Sequence, residues 1–334
     1  MTTTPPGTIF VTGANGGLGS AIVDRIVRDP TLAANYHGLY TVRNPQRAAA
    51  VQKVLQKHHA GTAGGHGCDL LPLDLGSLAS VRATAADVNR RVAAGTLPRI
   101  RALVLNAGWQ EYTTQTWTAD GPSTDKRNTM GPTGAAFTSE ERYHQVFAGE
   151  PMDTEKVATG KWSSMVEHPG DADAGFRRYG ASKLAEVMMM RELSKRIAAD
   201  PALSALTVVG VDPGAMPSNL IRERGTPLLR FMADWLMPWL VPIMAWFQPN
   251  GDFRTTAQSA RDVLHAAGLF FSDIDGISSR RKLNGTYFNG SAVGDVGPGS
   301  QGRCQVQDAV DRCDTVRRGS RGRYGADRLA IAIT

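Results

Sequence analysis

Short apolar runs alternate along the chain with longer stretches in which apolar residues recur every three or four positions. Continuous runs suit buried strands and the longer period suits helices, so the alternation predicts strand–helix–strand units and a parallel sheet. Residues 8–11 form a compact apolar run stopped by glycines. Leu18, Ile22, Val23, Ile26 and Val27 then fall on one face of a helix over 18–27. Further strands are predicted at 38–42, 69–75, 100–105 and 206–211, with a short last strand at 285–288. Helices are predicted at 81–92, 182–199 and 255–267. No internal repeat or linker divides the series, which reads as a single doubly wound α/β domain.

Composition narrows this picture. A chain of 334 residues can bury a substantial core, and 42% hydrophobic with 20% charged residues excludes wholesale disorder, collagen-like repeats and coiled coils. Cys68, Cys304 and Cys313 are too few for a disulfide framework and lack metal-ligand spacing. The expectation is a reducing compartment, the cytoplasm, with no metal; the opening residues also lack the pattern of a secretory leader. The formal charge of +6 is unevenly spread: residues 297–334 hold seven arginines, four aspartates and no lysine. That stretch reads as a basic, disordered tail, and its share of the charge weakens any case for a nucleic-acid partner of the folded body.

Candidate chemistry begins where the first strand meets the first helix, at Thr12-Gly13-Ala14-Asn15-Gly16-Gly17-Leu18-Gly19. Gly13 permits a tight turn, Gly17 lets the backbone approach a pyrophosphate, and Gly19 allows close helix–strand packing. The open amides of the helix start would then face an anion. Tyr179 and Lys183 lie four residues apart, on one helix face, where a cation beside a phenol favours phenolate and suits acid/base work. Arg43, just after the second predicted strand, stands where an NAD-selective fold puts a carboxylate; its guanidinium favours the 2′-phosphate of NADP over NAD.

The spacing T-G-x-x-x-G-x-G resembles the short-chain dehydrogenase/reductase family, and three more motifs follow in that family's order. Asp74-Leu75 resembles its adenine contact, Asn106-Ala107-Gly108 its N-A-G motif, and Tyr179-Gly180-Ala181-Ser182-Lys183 its Y-x-x-x-K pair. Pro213 and Gly214, with Ser218 after them, resemble the stretch beside the nicotinamide carboxamide. The resemblance implies a Rossmann-type fold binding NADP through Thr12, Gly13, Asn15, Gly17, Leu18, Gly19, Arg43, Asp74, Leu75 and the later motifs. It implies Tyr179 as acid/base, Lys183 as its partner and as a holder of the nicotinamide ribose, and hydride transfer to or from an apolar carbonyl or alcohol. It also allows a homodimer. Residues 227–247, with Trp235, Trp239 and Trp246, would belong to a substrate lid over 226–250; contact of that stretch with a membrane is the less favoured reading, since Arg230, Asp234, Pro238 and Pro242 interrupt it. The run from Gly175 to Lys183 is similar to a fungal-type branch near retinol dehydrogenases and protochlorophyllide reductases.

The match has a gap. The family places a helix and then a central strand, ending in the catalytic serine, between the N-A-G and Y-x-x-x-K motifs. Residues 109–178 hold no apolar run of even four, so the expectation is a doubly wound sheet lacking one central strand and helix, with a loop insertion over 122–175. Ser164 is a poor substitute for the serine, because no buried strand precedes it. The expected organisation is a nucleotide-binding domain over 1–296 followed by the tail. The alternative function is a relic that binds NADP or a partner and does no chemistry.

Overall fold

The computed structural model describes residues 7–59, 66–108, 117–118, 121–122, 161–163, 172–216, 235, 237–248, 251, 253–269, 283–294 and 329–333. These group into two compact units, one built from Met1–Ala107, Leu206–Val293 and Arg328–Thr334, the other from Gly108–Ala205 and Gly294–Asp327.

The first unit carries the sheet. β1 (Gly7–Val11) leads through the glycine-rich turn into α1 (Gly17–Arg28), followed by α2 (Pro30–Asn35), β2 (Tyr36–Val42), α3 (Ala49–His59), β3 (Cys68–Pro72), α4 (Leu78–Ala93) and β4 (Ile100–Leu105). The predicted first strand and helix are present, the strand one residue longer than expected and the helix longer by one residue at each end. α2 and α3 go unpredicted, although Val51, Val54 and Leu55 have helical spacing and pack in or against the core. β3 stops at Pro72, three residues short of the expected end. Beyond it Asp74 turns the chain, its Oδ1 accepting the Gly76 N–H at 3.0 Å.

β7 (Leu206–Asp212), α6 (Met237–Phe247), α7 (Thr256–Ala266), β8 (Tyr287–Asn289) and β9 (Ala292–Val293) complete the contiguous part of this unit. With β10 (Leu329–Ile333), the eight strands run in the order β3-β2-β1-β4-β10-β7-β8-β9, parallel throughout except for the β8–β9 pair. This is the doubly wound, Rossmann-type arrangement that the alternation predicts. Ile22, Val23 and Ile26 of α1 and Ala260, Val263 and Leu264 of α7 are fully buried in a core shared with Ile9, Val11 and Val104 of the sheet.

One strand corrects the sequence reading. β10 (Leu329–Ile333) comes from the far end of the segment expected to be a loose tail, and it lies between β4 and β7. Ala330 to Ile333 pair with Ala102 to Leu105 on one side, and Leu329 to Ile333 pair with Leu206 to Gly210 on the other. This is where the missing central strand left two open edges. Unpaired peptide groups inside a sheet are costly, and an alternating Leu-Ala-Ile-Ala-Ile segment satisfies both edges at once. Residues 297–328 lie outside the described residues.

In the second unit, the two-residue strands β5 (Trp117–Thr118) and β6 (Gly121–Pro122) form a small antiparallel ladder. α5 (Ala172–Ala199) starts ten residues before the predicted helix and takes in the whole Y-x-x-x-K motif. Its first turns lack an apolar stripe because they bury polar groups instead. Arg177 Nε donates to Ser163 Oγ at 2.9 Å, and Arg178 Nη1 donates to the Ser163 carbonyl at 2.5 Å.

Candidate cofactor and catalytic site

At the carboxyl end of β1 the chain must turn within two residues while β4 lies alongside. Gly13 does this at φ +67°, and a Cβ there would stand 2.7 Å from the Ala107 Cα. A Cβ on Gly19 would meet the Gly13 carbonyl oxygen at 2.1 Å, so the first turn of α1 also depends on a bare backbone. Both glycines are set by close approach.

Thr12 fastens this turn to the N-A-G segment. Its buried Oγ1 accepts the backbone N–H groups of Asn106 at 3.0 Å and Ala107 at 2.9 Å, and Asn106 Nδ2 returns a bond to the Thr12 carbonyl at 2.9 Å. The two motifs therefore form one rigid joint. Gly16, the residue before α1, offers no side chain to cap the helix, so the first-turn amides around Gly17, Leu18 and Gly19 suit an anionic ligand. These features fit a dinucleotide pyrophosphate.

The flanking positions have other partners. Asn15 turns away from the helix start: its Oδ1 accepts the N–H groups of Ala50 at 2.9 Å and Val51 at 3.3 Å, capping the start of α3. It ties the glycine-rich turn to the segment that follows Arg43. Arg43 and Asp74 come together across the ends of β2 and β3, with Nε 3.9 Å from Oδ1, both largely exposed. Leu75 is also exposed.

Behind β2, Tyr40 is fully buried and its hydroxyl meets His66 Nε2 at 2.7 Å, while His66 Nδ1 lies 3.3 Å from the Ala33 carbonyl. An Nδ1–H donating to that carbonyl leaves Nε2 to accept from the phenol. Burial, then Cys68, pushes the Tyr40 hydroxyl well above its ordinary range, so it stays a neutral donor.

At the end of β7, Gly214 adopts φ +71° and its N–H donates to Asp212 Oδ1 at 2.8 Å. Pro213 and Gly214 form this turn; Ser218 lies outside the described residues. Arg254 and Ser259, absent from every motif, hold the same turn from α7 and the residues before it. Nothing in the sequence marks an arginine just before a helix cap as special.

The second unit holds the expected catalytic pair. Tyr179 and Lys183 sit one turn apart on α5, as i,i+4 spacing requires. Lys183 is buried, and its Nζ lies 2.6 Å from Glu186 Oε2. The cation expected to act on a phenol therefore has a carboxylate partner one turn further on. Gly108 belongs to this unit too. Ser164 lies outside the described residues; its neighbour Ser163 is buried and engaged by both arginines. Among the described residues no group of His, Cys, Asp and Glu side chains could hold a metal ion.

α6 presents an apolar surface without a charge, with Trp239 and Trp246 each 77% exposed. Among the described residues no helix is long and apolar enough to cross a membrane.

Known proteins add a separate line of comparison. The chain is 44% identical over 340 residues to the short-chain dehydrogenase iccH of Talaromyces variabilis, with 87% of this chain and 90% of the relative covered. Retinol dehydrogenase 14 of Mus musculus is 27% identical over 284 residues, covering 82% of this chain and 76% of its own. Among solved structures, NADPH-bound carbonyl reductase from chicken fatty liver matches with 18% identity and a TM-score of 0.46, over 88% of this chain and 100% of its own. No family model matches the chain. The iccH alignment is longer than this whole chain while taking in only part of it, so that relative carries residues with no counterpart here.

Proposed function

The chain belongs to the short-chain dehydrogenase/reductase family of oxidoreductases, and from that premise we propose that it interconverts a carbonyl and an alcohol on an apolar small molecule, with NADP as cofactor. The observation that carries the reading is the joint of Thr12, Gly13, Asn106 and Ala107 beside the uncapped start of α1. It leaves backbone donors and no side chain where a pyrophosphate would lie.

The bound nicotinamide supplies or accepts the hydride. The amides at the start of α1 would hold the pyrophosphate, and Arg43 would take the 2′-phosphate, which is the basis for preferring NADP. The 212–214 turn would hold the carboxamide end. In the reducing direction Tyr179 would give its phenolic proton to the carbonyl oxygen of the substrate; in the oxidising direction it would take the hydroxyl proton of the alcohol. Lys183 favours the deprotonated phenol. The exposed aromatic face of α6 supports an apolar substrate, and cysteine usage supports the cytoplasm as its compartment.

A second reading has its own observations. The slot that ends in the family's catalytic serine is filled by β10, and Lys183 is held by Glu186. A missing donor to the substrate oxygen is worth roughly 3 kcal/mol of transition-state stabilisation. Such a protein would bind NADP with little or no turnover.

Titrating the full chain with NADPH and NADH by fluorescence, then assaying a panel of apolar aldehydes and ketones, separates the two. The enzyme reading expects tighter NADPH binding and turnover that Tyr179→Phe abolishes. Binding without turnover supports the relic, and failure of both dinucleotides to bind overturns both readings.

A further inference from the structure

The turn after β7 is held by a charged side chain that costs a great deal to bury. Arg254 is fully buried and is the largest such residue in the described part of the molecule. Its Nη1 donates to the Asp212 carbonyl at 2.6 Å, and its Nη2 donates to Asn289 Oδ1 at the end of β8. Its backbone N–H donates to the Ala215 carbonyl at 3.0 Å, beside a single parallel bridge between Ala215 and Phe253. Ser259 Oγ donates to the Pro213 carbonyl at 2.7 Å. The carbonyls of residues 212, 213 and 215 are thus all taken by Arg254 or Ser259, around a glycine in the left-handed region.

Packing alone does not need this arrangement. A methionine would fill much of the same volume without the desolvation of a guanidinium, which is repaid only by good hydrogen-bond geometry. What the guanidinium adds is a fixed fork. It joins the last carbonyl of β7 to the last side chain of β8, and so sets where the 212–215 turn stands above the sheet edge. Open α/β sheets bind ligands at that carboxyl edge.

We propose that Arg254 is a positioning residue that fixes the 212–215 turn for the nicotinamide end of the dinucleotide. The inference rests on the dinucleotide reading above. It assigns Arg254 no contact with the cofactor; the side chain acts through the turn.

The test compares a whole dinucleotide with its adenosine half, using the full chain and the variants Arg254→Met, Arg254→Lys and Asn289→Ala. NADPH spans both ends of the site, whereas 2′,5′-ADP occupies the end near Arg43 alone; if the wild type selects NADH, ADP takes the place of 2′,5′-ADP. Arg254→Met is expected to raise the NADPH Kd at least tenfold while the 2′,5′-ADP Kd stays within twofold. Arg254→Lys should recover part of the loss. Should Arg254→Met fail to fold, Asn289→Ala reads the same split, expected at about threefold. Equal weakening of both ligands, or no weakening of either, overturns the role of Arg254 and leaves the dinucleotide reading standing. A wild-type protein that binds neither ligand overturns the dinucleotide reading itself, and this inference with it.

Discussion

β1 and β10 are both interior strands of one parallel sheet, and they reach that position by opposite routes. β1 is flanked by β2 and β4, which arrive through the helices that follow it in the chain. β10 is flanked by β4 and β7, yet it comes from the far end of the chain. The first half of the sheet can assemble from local units. The second half must wait for a distant segment, and a non-local pairing of this kind costs loop-closure entropy before it returns any stabilisation. Sequence order therefore decides how β1 forms, while open edges decide where β10 goes.

The largest test of that contrast puts a charge into β10. Ala332 is fully buried between two paired strands, so Ala332→Asp would bury an unpaired carboxylate, at a cost of several kcal/mol. The expected result is loss of the cooperative thermal transition. Ala292→Asp, on the exposed β9, should stay within about 0.5 kcal/mol of wild type. Equal melting curves for the two variants would remove β10 from the sheet.

A smaller effect is expected at the joint in the first half. Thr12→Val keeps the shape but leaves the N–H groups of Asn106 and Ala107 without their acceptor. Stranding buried donors costs about 1–3 kcal/mol each. Denaturant unfolding should show that loss, together with weaker dinucleotide binding; an unchanged midpoint would mean that the motifs are not joined through this hydroxyl.

The same contrast explains what could be read in advance. The β1–α1 turn was legible because Gly13 and Gly19 are each required by a contact with residues that the motif itself predicts. The N-A-G segment was legible for the same reason. β10 was not, because five alternating residues after an arginine- and glycine-rich stretch carry no flanking signal, and only the edges of β4 and β7 give them a place. Asn15 shows a limit within a recognised motif: the residue sits in the glycine-rich turn but serves α3. Arg254 shows another, since its partners Asp212 and Asn289 come from two strands at different points in the chain. The early start of α5 was hidden by its buried arginines, which periodicity of apolar residues cannot reveal.

In the second half of the sheet Ser259→Ala offers a local counterpart to Thr12→Val. It removes one buried bond to the Pro213 carbonyl and should cost about 1 kcal/mol. Because that carbonyl keeps its neighbours fixed through Arg254, stability should fall less than for Thr12→Val. A larger loss would show that the second half leans on this turn more than the first leans on its joint.

The smallest effect lies at the outer edge of the first half, on β3. Asp69 is partly exposed, lies 3.3 Å from His37 Nε2 and is paired with Arg91. Burial alone would raise its carboxyl, but the bonds and charges of Arg91 and His37 outweigh that and hold it below the usual range. A carboxyl lowered by folding favours the folded state above its unfolded value of about 3.9. The benefit then fades as pH falls through the lowered folded value. Asp69→Asn should therefore melt slightly below wild type at pH 7, by less than about 1 kcal/mol as expected of a half-exposed pair. The two curves should converge as the pH drops below 4. A gap that persists in acid would mean that Asp69 holds β3 through packing, and that the edge of the first half owes nothing to charge.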